Sequence, residues 1–258
     1  RAGYRKSRSH DVVAVDSCVV AHPLAEELVV EGRYGEAAEV TIKVGARTGE
    51  RMVVVPAGVD VSVPDDVVVA RRDELAAGRE AFIHEEVGGQ RFRISADSFF
   101  QCRPDGAEAL VAAARSALEH FDGRLLDAYS GVGLFGALLS EDRPLLAVES
   151  SQSSVADARV NLAGIGDVVR SRFERWAPVP VSAAVADPAR RGLGADGVAV
   201  LVATEAMVVA LVSCDPASLA RDARLLIDAG YALQMVTVID LFGQTSHVET
   251  VSRFVKAS

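Results

Sequence analysis

Arg124-Leu125-Leu126-Asp127-Ala128-Tyr129-Ser130-Gly131-Val132-Gly133-Leu134-Phe135-Gly136 is the stretch whose reading decides the fold. A short apolar run ends in an acid, enters a glycine-rich loop and continues as an apolar segment, which predicts a strand, a tight turn and a helix. Gly131, Gly133 and Gly136 match G-x-G-x-x-G literally, a spacing that lets the backbone turn sharply and approach a ligand closely. The next apolar run, Pro144-Leu145-Leu146-Ala147-Val148-Glu149, ends in an acid suited to accept hydrogen bonds from ribose hydroxyls.

Working outward, the same texture repeats. Ala183-Ala184-Val185-Ala186-Asp187 and Val208 to Ser213 are further apolar runs, each followed by a glycine loop or a helical segment. Buried parallel strands joined by crossover helices explain that alternation. Asp105 to His120, with Pro104 near its start, places Leu110, Val111, Ala114 and Leu118 on one helical face. Leu233 to Val238 and His247 to Phe254 have no helix-length insert between them, which predicts an antiparallel pair closing the sheet. The fold class expected for residues 95–258 is therefore α/β, a Rossmann-like doubly wound sheet with an antiparallel C-terminal pair.

Residues 1–94 read differently, as a smaller β-rich (α+β) domain. Its short strand-like pieces are Asp11 to Val15, Glu39 to Val44, Arg51 to Val55, Val67 to Ala70, Ala81 to Glu86 and Gln90 to Ile94. Gly88-Gly89 reads as a hairpin turn, and a helix is expected near Pro23 to Glu31. No chemical constellation stands out in this part.

Half of the 258 residues are apolar, enough for a full core, and the net charge of -9 argues against broad adhesion to nucleic acid. Arg1, Arg5, Lys6 and Arg8 form a basic strip with no acid among the first ten residues, either a solvated terminus or a phosphate-contacting strip. The chain opens on Arg1 rather than Met, consistent with residues upstream. Cys18, Cys102 and Cys214 lie too far apart for a disulfide framework or a metal-binding pair, so a cytoplasmic setting is expected. No apolar stretch is long enough to span a membrane, and no signal segment is visible.

Cys214 lies in Val212-Ser213-Cys214-Asp215-Pro216-Ala217-Ser218-Leu219-Ala220-Arg221-Asp222, directly after an apolar run. A strand's C-terminal edge is where α/β folds build their sites. Asp215 is expected as N-cap and Pro216 as the first helical residue, with the helix amides favouring the thiolate and the Asp215 carboxylate opposing it. At the glycine loop, a dinucleotide would explain the glycines and Glu149. S-adenosylmethionine is favoured because Asp127 is placed to meet a ligand's ammonium group and Asp187-Pro188 ends a later strand near it.

Gln101 in Ser98-Phe99-Phe100-Gln101, the Asp127 to Gly133 loop, Glu149, Asp187-Pro188-Ala189-Arg190-Arg191-Gly192-Leu193, Ser213-Cys214-Asp215-Pro216 and Gln244-Thr245-Ser246-His247-Val248-Glu249-Thr250 occur in that order. Together they resemble the RNA 5-methyluridine methyltransferase family, class I enzymes that use S-adenosylmethionine to methylate C5 of uridine in transfer or ribosomal RNA. The resemblance covers essentially the whole chain from residue 95 and the earlier part more loosely. It implies a methyltransferase sheet, an RNA substrate, Cys214 as nucleophile and Glu249 as general base. It also implies cofactor contacts at Gln101, Tyr129, Glu149 and Asp187, beside the loop residues Asp127, Gly131 and Gly133. C5 of uracil is a poor nucleophile, and a thiolate added at C6 corrects that. His247 has no obligatory task in such a scheme and is read as structural.

Two departures stand out: Ala189 where the family commonly has a second proline, and Asp215 where it commonly has Asn. Neither an N-terminal RNA-binding barrel nor the closely spaced cysteines of a four-iron cluster is visible, so no metal and no iron-sulfur cluster is expected. A nicotinamide-dependent oxidoreductase built on the glycine loop is the rival enzyme reading, and it gives Cys214 and Glu249 no role. A non-catalytic RNA-binding protein that keeps the fold is a third.

Overall fold

The computed structural model describes residues 3–257 apart from 7, 8, 10, 120, 244 and 246. Arg1 and Arg8 of the basic strip, His120 at the expected helix end, and Gln244 and Ser246 of the C-terminal motif lie outside the described residues. The chain divides into two compact units, residues 1–97 and 98–258.

The first unit carries β1 (Gly3–Arg5), β2 (Val12–Ala14), α1 (Pro23–Val30), β3 (Thr41–Val44), β4 (Arg51–Val55), β5 (Val67–Arg71), α2 (Arg72–Ala76), β6 (Phe82–Val87) and β7 (Gln90–Ser95). Its core gathers Leu28, Tyr34, Val53, Val55 and Val67 around the three-stranded sheet β3-β4-β5. β6 and β7 form a hairpin in which Val87 faces Gln90 across Gly88-Gly89, both glycines at positive φ. That two-residue turn needs left-handed backbone at both positions, which is why glycines occupy it. β1 and α2 were not expected from the sequence: each is very short and lacks a periodic apolar pattern.

The second unit carries α3 (Pro104–Ala117), β8 (Leu125–Ala128), α4 (Leu134–Leu139), β9 (Leu145–Glu149), α5 (Gln152–Asn161), β10 (Gly166–Arg170), β11 (Ala183–Ala186), α6 (Gly194–Ala203), β12 (Val208–Ser213), α7 (Pro216–Asp228), β13 (Tyr231–Ile239) and β14 (Glu249–Lys256). They build one seven-stranded sheet in the order β10-β9-β8-β11-β12-β14-β13. β8 pairs in parallel with β9 on one side and β11 on the other, so the winding reverses between β8 and β11. Ligands of open α/β sheets bind at the C-terminal ends of strands beside such a reversal.

Burial follows position in the sheet. β8, β11 and β12 are buried at every residue, as expected of parallel strands covered on both faces. β10 lies at an edge and is only partly buried, so its sequence lacks the continuous apolar run that marks a central strand and it escaped the sequence reading. The C-terminal pair is antiparallel as expected, with one difference. β14 is inserted between β12 and β13, antiparallel to both, and β13 forms the edge. A bulge at Gln234, between Leu233 and Met235, breaks the regularity of that edge strand. Among the described residues, no helix is long and apolar enough to cross a membrane.

Phe254 on β14 is fully buried in the core with Val209, Leu211, Leu226 and Tyr231. Phe254→Ala is expected to destabilise the second unit by about 3–5 kcal/mol. Denaturant titration followed by the fluorescence of Trp176, the chain's single tryptophan and a member of the same core, measures it.

Candidate active site

The turn between β8 and α4 is held from two sides. Asp127, 0% exposed, accepts a hydrogen bond from the Gly136 N–H at its Oδ2, 2.7 Å away. A Cβ at Gly136 would stand 3.0 Å from that same oxygen and 2.9 Å from Leu145, so only glycine lets the helix approach the carboxylate. Glu149, at the end of β9, accepts from Gly131 N–H at 3.0 Å and from the N–H groups of Ser150 and Ser151 at 2.6 Å each. Gly131 has φ +55° with nothing within 4 Å of a built Cβ, whereas Gly133 at φ +93° would drive a Cβ to 2.8 Å from Leu162. Gly131 therefore keeps open space beside the turn, and Gly133 allows close packing under it.

Tyr129 sits in the same turn with a left-handed backbone, φ 59°, uncommon for a residue with a side chain. Its hydroxyl donates to Glu174 Oε1 at 2.9 Å, and its ring lies 5.0 Å from that of Phe173. Burial first, then the Glu174 carboxylate, pushes the Tyr129 phenol well above its usual range. Tyr129, Glu149, Phe173, Glu174, Arg191 and Gly192 are among the residues lining a pocket of about 200 Å³. Gln101, on the connection into α3, is not part of that lining. Phe173 and Glu174 follow β10 in a single 3-10 turn, Phe173–Arg175, too short for any periodicity in the sequence to mark it.

Cys214 and Glu249 are brought together by the β12–β14 ladder. Ser213 pairs with Thr250, and the Thr250 hydroxyl donates to the Ser213 carbonyl at 3.0 Å. The next residue after Ser213 and the residue before Thr250 are thus neighbours at the sheet edge. Glu249 is only 6% exposed, and burial raises its carboxyl above the usual range. The Cys214 thiol is also raised, first by burial and then by Glu249; a hydrogen bond and the charge from Arg190 work against the rise, and Asp187 adds to it.

One expectation is corrected here. Asp215 does cap α7, its Oδ2 accepting from Ser218 N–H at 2.8 Å, and this bonding holds its carboxyl below the usual range. The acids that disfavour the Cys214 thiolate are Glu249 and Asp187, not Asp215, and the net effect of the surroundings is a raised thiol rather than the lowered one a helix start implies. Asp127, in turn, is closed off beneath the glycine turn. Its Oδ2 braces Gly136.

Glu149, Asp127, Asp187 and Glu249 form a row of carboxylates that follows strand order along one edge, from β9 through β8 and β11 to β14. They act on one another. Burial, with Asp187 and Glu149 adding to it, pushes Asp127 up to about 8, and burial with Glu249 pushes Asp187 up to about 7. Asp127 Oδ1 is buried without a hydrogen-bond partner among the described residues. A ligand carrying positive charge would draw these raised acids toward their ionised form, and the open space beside Gly131 and the Tyr129–Phe173 aromatic pair suit a flat aromatic group.

The strand order, the reversed β14 and the acid-flanked glycine turn define a Rossmann-like α/β unit of the type found in S-adenosylmethionine-dependent methyltransferases. No protein-family model matches the chain. It is homologous to curated RNA methyltransferases along nearly its whole length: one from Streptomyces avermitilis is 36% identical over 97% of this chain and 63% of its own, and one from Streptomyces coelicolor 34% over 98% and 60%. The chain thus spans about three fifths of the length of these relatives, both named as uncharacterised RNA methyltransferases. The same fold occurs in the Pyrococcus abyssi tRNA (uracil-54, C5)-methyltransferase, solved with S-adenosyl-L-homocysteine, at a TM-score of 0.69 and 24% identity over 83% of this chain and 58% of that one. It occurs also in TYW2 of M. jannaschii, solved with AdoMet, at a TM-score of 0.54 and 11% identity over 87% of this chain and 100% of that one.

Because Asp127 and Asp187 titrate higher in the folded chain than in the unfolded one, the folded state holds extra protons between about pH 4 and pH 8. The contribution of these two groups to stability is greatest below the unfolded carboxylate value and is lost as pH rises through the folded values. Asp127→Asn removes one of these groups, so its stability relative to wild type is expected to improve steadily from pH 5 to pH 8. Denaturation at the two pH values, followed at Trp176, checks the trend, and a relative decline would show that burial does not hold Asp127 protonated.

Proposed function

We propose that the chain is the catalytic part of an S-adenosylmethionine-dependent RNA methyltransferase acting on C5 of a uridine. The observation that carries the reading is the placing of Cys214 and Glu249 as neighbours across the β12–β14 ladder, on the sheet edge that also bears the glycine turn. The RNA methyltransferase names of the relatives and the uracil-C5 specificity of the P. abyssi neighbour support it.

S-adenosylmethionine supplies an electrophilic methyl group when bound. Glu149, Tyr129 and the space beside Gly131 would hold its nucleoside portion, with its positive charge drawing the raised acids of the row toward their ionised form and Asp127 supporting the turn from below. The Cys214 thiolate adds to C6 of uracil, and the electrons of the C5–C6 double bond pass toward the C4 carbonyl, making C5 nucleophilic. Once C5 carries its new substituent, the Glu249 carboxylate removes the remaining C5 proton. The double bond reforms and the sulfur leaves C6 as a thiolate, ready for another turnover. A buried base with a raised value suits proton removal from carbon better than an exposed carboxylate does. A nicotinamide cofactor on the same glycine turn would leave the Cys214–Glu249 pair without work.

RNA containing 5-fluorouridine lacks the C5 proton that Glu249 must remove, so with S-adenosylmethionine present it is expected to leave a denaturation-resistant adduct on Cys214. Cys214→Ala should abolish both the adduct and methyl transfer while still binding S-adenosylhomocysteine. Glu249→Gln should accumulate an adduct with ordinary uridine, because addition proceeds and elimination does not. Adduct formation should speed up as pH rises above neutrality, since the raised thiol leaves little thiolate below it. Denaturing gels and peptide mass spectrometry read all of these outcomes, and a wild-type chain that neither forms the adduct nor methylates RNA would refute the assignment.

A further inference from the structure

The loop after β11 touches both halves of the site. Ala189, Arg191 and Gly192 line the pocket, while the Arg190 guanidinium lies close enough to Cys214 to favour its thiolate. The main chain of this loop is held by one helix, α7, which starts immediately after Cys214-Asp215. The Ser218 hydroxyl donates to the Arg190 carbonyl at 2.8 Å, and the Arg221 guanidinium donates to the Arg191 carbonyl. Asp222, 1% exposed, accepts from Leu193 N–H at 2.6 Å and Gly194 N–H at 3.1 Å, and it also takes the Nε of Arg221 at 2.9 Å. Ser218, Arg221 and Asp222 stand at i, i+3 and i+4, one face of a helix.

Gly192 shows how closely the two pieces fit. Its φ is +72°, and a Cβ there would stand 2.2 Å from Asp222 Oδ2. A carboxylate suits the position because its two oxygens receive neighbouring N–H groups at once while the Arg221 cation offsets the buried charge. An amide has one acceptor oxygen and would turn an N–H against one of them.

We propose that Asp222 is a positioning residue: its buried carboxylate, with Ser218 and Arg221, locks residues 190–194 to the helix that begins beside Cys214, so that the pocket wall and the nucleophile share one register. The meaning given to the two ends rests on the methyl-transfer reading. The grip itself predicts a property of Cys214 that needs neither cofactor nor RNA. The thiol faces Glu249 from β14, Asp187 at the end of β11 and Arg190 from the gripped loop, so loosening the loop moves the favourable Arg190 cation away from the sulfur while both acids stay.

The test compares the wild-type chain with Asp222→Asn and Ser218→Ala. Three quantities are read: melting temperature, S-adenosylhomocysteine affinity by calorimetry, and the pH dependence of Cys214 alkylation by iodoacetamide, resolved by peptide mass spectrometry from Cys18 and Cys102. Asp222→Asn is expected to weaken S-adenosylhomocysteine binding about tenfold and to raise the midpoint of Cys214 alkylation by about one pH unit. Ser218→Ala leaves the backbone N–H that Asp215 caps in place, and it should move the alkylation midpoint in the same direction by less.

A folded Asp222→Asn that lowers only the melting temperature, with affinity and alkylation unchanged, would overturn the proposal by showing a merely structural role. If Asp222→Asn does not fold, Ser218→Ala decides, and an unmoved alkylation midpoint there overturns it. Failure of the wild type to bind S-adenosylhomocysteine counts against the methyl-transfer reading alone, because the alkylation arm is judged without the cofactor.

Discussion

A single buried hydrogen bond, from Gly136 N–H to Asp127, anchors the turn on which the site is built. The carboxylate lies at the end of a strand paired on both sides, where the backbone of β8 cannot shift without disturbing β9 and β11. Its acceptor fixes the start of α4, and with it the left-handed glycines that bring the backbone to the sheet edge. Glu149 meets that turn from the neighbouring strand through Gly131. The cost is an unpaired oxygen and a carboxyl that holds its proton far more tightly than in water.

The edge then collects chemistry in strand order. Parallel strands end at one side of the sheet, and the inserted antiparallel strand begins there, so Glu149, Asp127, Asp187, Cys214 and Glu249 meet although they are scattered over more than a hundred residues. Crowding buried carboxylates raises their values and disfavours a thiolate among them. Arg190 is the counterweight, and its loop is the piece gripped by α7.

Much of this was legible before any coordinates. The strand-turn-helix around Gly131 to Gly136, the four buried parallel strands, the C-terminal antiparallel pair and the Gly88-Gly89 hairpin each carry a local pattern strong enough to read. The cap at Asp215 and the start of α7 at Pro216 were equally plain. β10 was not, because an edge strand needs no continuous apolar run, and neither were Phe173 and Glu174, which line the pocket from a single 3-10 turn. Asp222 had a visible helical spacing to Ser218 and Arg221, but nothing local shows that a loop some thirty residues earlier in the chain packs on that face.

By itself, the sequence determined the element types and the residues able to do chemistry, since periodicity, caps and glycine turns are local and nucleophiles or acids are named by their side chains. Only the tertiary structure decided what surrounds those residues. It set β14 beside β12 and so joined Cys214 to Glu249, turned Asp127 inward as a brace, and assigned the charge beside the thiol to Glu249, Asp187 and Arg190 rather than to Asp215. The physical reason is that field strength and burial depend on distance through space. An adjacent carboxylate turned into a helix cap matters less to the sulfur than one brought across the sheet.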